Sequence, residues 1–128
     1  MNRYFVNFSN HSSMNWNNKQ IEEAEKWGRI IDVPFPDIDP MSDEDGILNI
    51  AEISVKQIME YDPAAVMCQG EFSLTYAVVE ELRKKGVVVV SACSGRETDE
   101  QILADGTACK TSLFDFVRFR KYTTLDND

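Results

Sequence analysis

The four consecutive valines from Val87 to Val90 constrain the fold of this chain more than any other feature. β-branched side chains crowd the preceding turn of a helix and suit a pleated strand. An unbroken apolar run also implies burial on both faces, as in a parallel sheet covered by helices. The rest of the chain fits that setting. Arg3 to Phe8, Arg29 to Val33 and Ala64 to Cys68 read as three further strands. Helical stripes lie between them: Ile21, Ala24 and Trp27 within and just after about Asn17 to Lys26, Ile47, Ala51, Val55 and Ile58 over about Gly46 to Tyr61, and Leu74, Val78 and Leu82 after Glu71. Gly28, Asp62-Pro63 and Gly86 supply the stops. Such alternation predicts an α/β, Rossmann-like parallel sheet flanked by helices.

Beyond Val90 the pattern changes. Glu97 to Leu103 and Thr107 to Tyr122 flank Asp105-Gly106 and predict a C-terminal antiparallel β-hairpin. The expected organisation is a single domain over residues 1–122, with a disordered tail over 123–128. A length of 128 residues suits one domain. The balance of 13 Lys and Arg against 22 Asp and Glu, net charge −9, argues against a long nucleic acid as partner. It leaves room for one small anion in a local pocket. No apolar run approaches the length of a membrane helix, and the opening Met1 to Val6 lacks the form of a secretory signal. Cys68, Cys93 and Cys109 form an odd set without metal-binding spacing, so a reducing cytoplasm is the expected setting, with no metal site and no cofactor.

Ligands of open parallel sheets bind beyond the carboxyl ends of the strands. Three polar segments are expected to be loops there: Ser9 to Ser13, Gln69 to Ser73 and Ser91 to Arg96. Asn10, Ser12, Gln69, Ser73 and Ser94 offer hydrogen-bonding side chains, while Gly70 and Gly95 would let a ligand approach the backbone. The second segment also opens a helix, whose free N–H groups favour an anion. His11, the one histidine, is either a capping or surface residue or a group that donates to phosphate and moves a proton. Arg96 is either a bidentate phosphate clamp or a surface arginine paired with Glu97 or Glu100. Arg118 and Arg120 share one strand face, which suits a ligand or an edge guarded against aggregation. Cys93 reads as a small packed residue, and Asp37 to Asp45 as a solvated loop whose acids suit the next helix start. Neither GxGxxG nor GxxxxGK[ST] occurs.

Taken together, an opening strand into Asn10-His11, the run Gln69-Gly70-Glu71-Phe72-Ser73-Leu74-Thr75-Tyr76, the run Val90 to Arg96 and the closing Phe114 to Tyr122 resemble the small stand-alone CRISPR-associated proteins of CARF-like fold. The similarity spans about Arg3 to Tyr122. It implies a type III CRISPR setting in antiviral defence and a homodimer binding a cyclic oligoadenylate, tetra-adenylate favoured, across its axis. It further implies a metal-independent ring nuclease in which the ligand's own 2′-hydroxyl attacks phosphorus. By position, His11 or Glu71 would move the proton and Arg96 would clamp the phosphate. Asn10, Ser12, Gln69, Gly70, Ser73, Ser94 and Gly95 would bind the ring. Two alternatives remain open: a non-catalytic cyclic-nucleotide sensor or dimeric interaction module, and a nucleoside hydrolase or deoxyribosyltransferase-like enzyme with Glu71 as nucleophile.

Overall fold

A computed structural model of the chain describes residues 3–126, with the side chains of 96–101 and 109–114 outside the described set. Five strands, β1 (Tyr4–Ser9), β2 (Arg29–Asp32), β3 (Ala65–Gln69), β4 (Val88–Ile102) and β5 (Ala108–Lys121), form one sheet in the order β2-β1-β3-β4-β5. The first four run parallel, and β5 returns antiparallel to β4. Helices α1 (Asn18–Glu25), α2 (Glu44–Met59) and α3 (Phe72–Lys84) make the crossovers. This is the doubly wound α/β arrangement that the sequence predicts, hairpin included.

Strand alternation divides the core in two. Val6, Phe8, Val66, Cys68 and Val89 face α2 and α3, which contribute Ala51, Val55, Ile58, Leu74, Val78 and Leu82. On the other face Phe5, Ala65, Met67 and Val90 meet Ala24 of α1, Phe116 and Phe119, with Trp16 and Trp27 packed alongside. The Phe5 ring sits within 5.1 Å of Phe119 and 5.6 Å of Trp27, centroid to centroid, so aromatic packing ties β5 to the far edge of the domain. The helices start where short polar side chains can take up free backbone N–H groups. Asn17 caps α1 through Gln20 N at 3.0 Å, and Asp43 caps α2 through Gly46 N at 2.9 Å. Within the acidic stretch, Asp43 is thus a cap, and Glu44 and Asp45 occupy the first turn of α2, where the helix dipole favours them.

Three differences from the sequence reading bear on the site. Ser9 is the last residue of β1, paired with Gln69 and buried, so the first loop begins at Asn10. The segment Ser91 to Arg96 is strand: β4 runs on without a break to Ile102. Past Met67↔Val90, among the described residues, β4 continues its strand ladder with β5, as a two-stranded ribbon. The apolar residues that α1 covers in this ribbon are Phe116 and Phe119 of β5, with Ala92 beside them, so the Ser/Gly-rich β4 side lacks apolar alternation and its composition imitates a loop. A bulge between Cys93 and Ser94 leaves Val117 unopposed and turns both Phe116 and Phe119 inward, three residues apart. The hairpin turn itself follows expectation: Asp105 Oδ1 accepts from Thr107 N at 3.0 Å and Gly106 has φ +87°, the left-handed value that favours glycine. Of the expected tail, 123–126 continue without helix or strand, and 127–128 lie outside the described residues. Among the described residues no helix is long and apolar enough to cross a membrane.

Candidate functional site

The chain passes from β1 to β2 on one side and then to β3 on the other, so the sheet's switch point lies between β1 and β3. Connections diverge there and leave a crevice at the carboxyl edge. The register Ser9↔Gln69 brings the Asn10-His11 loop and the Gln69-Gly70-Glu71 segment together at that crevice. The sequence reading places these two segments beyond the strand ends, and the register sets them side by side at one edge of the sheet.

On the α1 side of the edge, a polar network fixes the first loop. Asn7, 2% exposed, donates through Nδ2 to Asp32 Oδ1 at 3.0 Å and to the His11 carbonyl at 2.8 Å. Ser9 Oγ donates to Asn7 Oδ1 at 2.7 Å and accepts from His11 N at 3.2 Å. The other Asp32 oxygen accepts from Ser13 N at 3.1 Å and Ser12 Oγ at 3.2 Å. Burial pushes the Asp32 carboxyl up, but the donated hydrogen bonds from Asn7, Ser13 and Ser12 outweigh it and hold the group below its ordinary value. The result is a backbone turn at His11 pinned by its carbonyl and its N–H, with Asn10, His11 and Ser12 exposed beyond it.

On the other side of the edge the crevice is already filled. Beyond β2 the chain continues along β1, with Val33 N donating to Asn7 O at 2.9 Å and Phe35 N to Ser9 O at 3.3 Å. This carries the Phe35 ring over Phe8, at a centroid distance of 4.9 Å, and against Gly70. A Cβ at Gly70 would fall 2.5 Å from the ring, so the glycine is required by Phe35 and does not open a path for a ligand. Glu71 is the N-cap of α3, accepting from Leu74 N at 2.7 Å. One carboxylate oxygen of the protein therefore sits where the sequence reading places a ligand anion. Ser73 is exposed in the first turn of α3.

The third segment joins through Gln69, whose Oε1 accepts from Ala92 N and continues the β3 to β4 contact one step past the ladder. Ser94 is exposed and Gly95 half-buried beside Val117, just past the bulge. Arg96 pairs along the ribbon with Phe114, and its side chain lies outside the described residues. Arg118 and Arg120 are both exposed and flank the inward Phe119, as the strand period requires.

Sequence reasoning missed Asn7, Asp32 and Phe35. A polar Asn7 between the apolar Val6 and Phe8 of a buried strand was the available signal, since a buried amide needs partners. The chain matches, over residues 3–120, the family model described as the uncharacterized protein MJ1673 family, and it belongs to that family. No curated protein and no solved structure matches it.

Proposed function

We propose that this MJ1673-family chain binds a compact phosphodiester ring, a cyclic oligoadenylate with the tetra-adenylate favoured, at the carboxyl edge of its sheet, as a homodimer, and cleaves it. The observation that carries the reading is the switch point between β1 and β3, which joins the pinned His11 turn to Gln69 and the start of α3. The resemblance of these segments to CARF-like CRISPR-associated proteins supplies the ligand class. In this reaction the 2′-hydroxyl of one ribose attacks the adjacent phosphorus as the bond to O5′ breaks, leaving a 2′,3′-cyclic phosphate and a 5′-hydroxyl. His11 takes the 2′-hydroxyl proton, and a proton returns to O5′ from His11 or from water. The Asn7 and Ser9 bonds hold the His11 backbone, so the imidazole swings from a fixed base. Arg96 clamps a non-bridging phosphate oxygen.

A second reading, binding without turnover, is favoured by the use of Glu71 as the α3 cap, which takes one candidate proton carrier out of play. The same contact weighs against Glu71 as the nucleophile of a nucleoside hydrolase. Incubation with cyclic tri-, tetra- and hexa-adenylate in EDTA, followed by product analysis, tests these readings. Linear products ending in 2′,3′-cyclic phosphate, lost in His11→Ala and Arg96→Ala, are expected. A ring bound but intact selects the sensor, and free base release from a nucleoside selects the hydrolase. Absence of both binding and cleavage overturns the proposal.

A further inference from the structure

The start of α3 carries a second feature that the edge site does not use. Phe72 is 90% and Tyr76 72% exposed. They stand four residues apart on α3, which makes their rings neighbours on one helix face. Together with Leu48, 58% exposed and beside them, they form an exposed apolar patch. They border a groove of about 510 Å³ between α2 and α3, with Ile47 and Leu48 along it and Glu44 and Ser73 contributing polar groups. That size lies within the roughly 300–1,000 Å³ of small-molecule sites. No cation lines it, so it does not suit a phosphate. Phe72 directly follows Gln69-Gly70-Glu71, so groove and edge site adjoin through one short stretch of chain.

We infer that this groove receives the adenine base of the ligand whose phosphate lies at the sheet edge, with Phe72 and Tyr76 as the stacking surface. The inference rests on the function proposed above. A nucleobase is flat, uncharged and polarisable, the chemistry that exposed aromatic rings recognise in single-stranded ligands. The Glu44 carboxylate accepts a hydrogen bond from the exocyclic amine of adenine. Uracil would set a carbonyl oxygen in that place, so the groove discriminates between the two.

The test titrates the full chain with adenosine monophosphate, uridine monophosphate and cyclic tetra-adenylate by calorimetry, while sedimentation measures the mass. Phe72→Ala and Tyr76→Ala alter exposed side chains, and circular dichroism checks their fold. Loss of a stacked ring is expected to weaken adenosine monophosphate and the cyclic ring by roughly 5- to 150-fold. Phe72→Trp retains binding, and Glu44→Gln narrows the preference for adenine over uracil. If Phe72→Ala binds both adenine ligands like wild type, the groove assignment fails, and cleavage in EDTA still reports separately on the edge site. If adenosine monophosphate binds in a Phe72-dependent way but the ring is neither bound nor cut, the groove stands and the proposed function falls. A drop in mass with no change in nucleotide affinity makes the groove a contact between copies and overturns the inference.

Discussion

Replacing Asn7 with alanine isolates the network that fixes the His11 turn. The amide is 2% exposed, donates at 3.0 Å to the Asp32 carboxylate and at 2.8 Å to the His11 carbonyl, and accepts from Ser9 Oγ at 2.7 Å. A hydrogen bond to a charged group contributes about 1.5–3 kcal/mol, and solvent around the exposed Asp32 brings this to the low end. The bond to the His11 carbonyl adds about 1 kcal/mol, so Asn7→Ala is expected to cost about 2–4 kcal/mol at pH 7, with the Ser9 hydroxyl left to donate to the His11 carbonyl at 3.1 Å. The pH dependence follows from Asp32. Its folded value is depressed, so its contribution is present above the unfolded value near 3.8 and is lost as pH falls through the folded value. Urea unfolding of wild type and Asn7→Ala at pH 7 and again well below pH 3.8 checks both points. The deficit should be largest at neutral pH and shrink in acid. A variant within about 0.5 kcal/mol of wild type at pH 7, or a deficit of constant size across that range, refutes the reasoning.

Gly70→Ala drives a Cβ to within 2.5 Å of the packed Phe35 ring, so it should destabilise by about 1–3 kcal/mol, and Phe35→Leu in the same chain should relieve part of that cost in a double-mutant cycle. Burial first, and then the nearby Cys68 and Cys93, push the Tyr122 hydroxyl up to about 12. Its stabilising contribution is therefore complete below the unfolded value of 10.0 and lost as pH rises through about 12; in a 295 nm titration one tyrosine should ionise late, and Tyr122→Phe should abolish that phase. The same variant also loses the bond from Tyr122 Oη to Cys68 O at 2.7 Å, a cost of about 1 kcal/mol by urea unfolding. Burial raises the Cys68 thiol to about 12, so iodoacetamide should label half-buried Cys93 before Cys68, and equal native labelling rates of these two would contradict the packing.

Most of the fold was legible because its signals are local. Val87 to Val90, the apolar stripes of α2 and α3 and the Asp105-Gly106 turn each act within a few residues of one another. The candidate site was legible only as far as topology carries it: alternating strands and helices place Asn10, His11, Gln69 and Ser73 at one edge of the sheet. What fills that edge is decided by contacts between distant parts of the chain. The Phe35 ring reaches Gly70, and the Asp32 carboxylate reaches Ser12 and Ser13, through the tertiary course of the β2 exit. Glu71 was ambiguous for a local reason. A glutamate before a helix is both a cap and a candidate acid, and the structure shows the cap. Ser91 to Arg96 was misread as a loop because the buried residues at this place are Phe116 and Phe119 of the partner strand, while of its own described side chains Ala92 alone packs against the core.

The same geometry relocates the charge problem posed by an anionic ligand. The stretch from Val88 to Lys121 holds five basic and five acidic residues, so the whole net charge of −9 belongs to the rest of the chain. At the switch point the nearest built features are a pinned turn, an amide already engaged with Ala92 and a helix start capped by Glu71. None of these adds a positive charge. Cations in quantity are found on the hairpin, at Arg96 and Lys110 along the ribbon and at Arg118, Arg120 and Lys121 beside the bulge. In the proposed reading, neutralising a phosphate at this edge would draw on β5 and on the part of β4 past its parallel partner, where these five cations lie. A domain ending at Val90 would keep the switch point and lose these five cations. The bulge between Cys93 and Ser94 lies where the ribbon leaves the parallel sheet, and a bulge bends its strand.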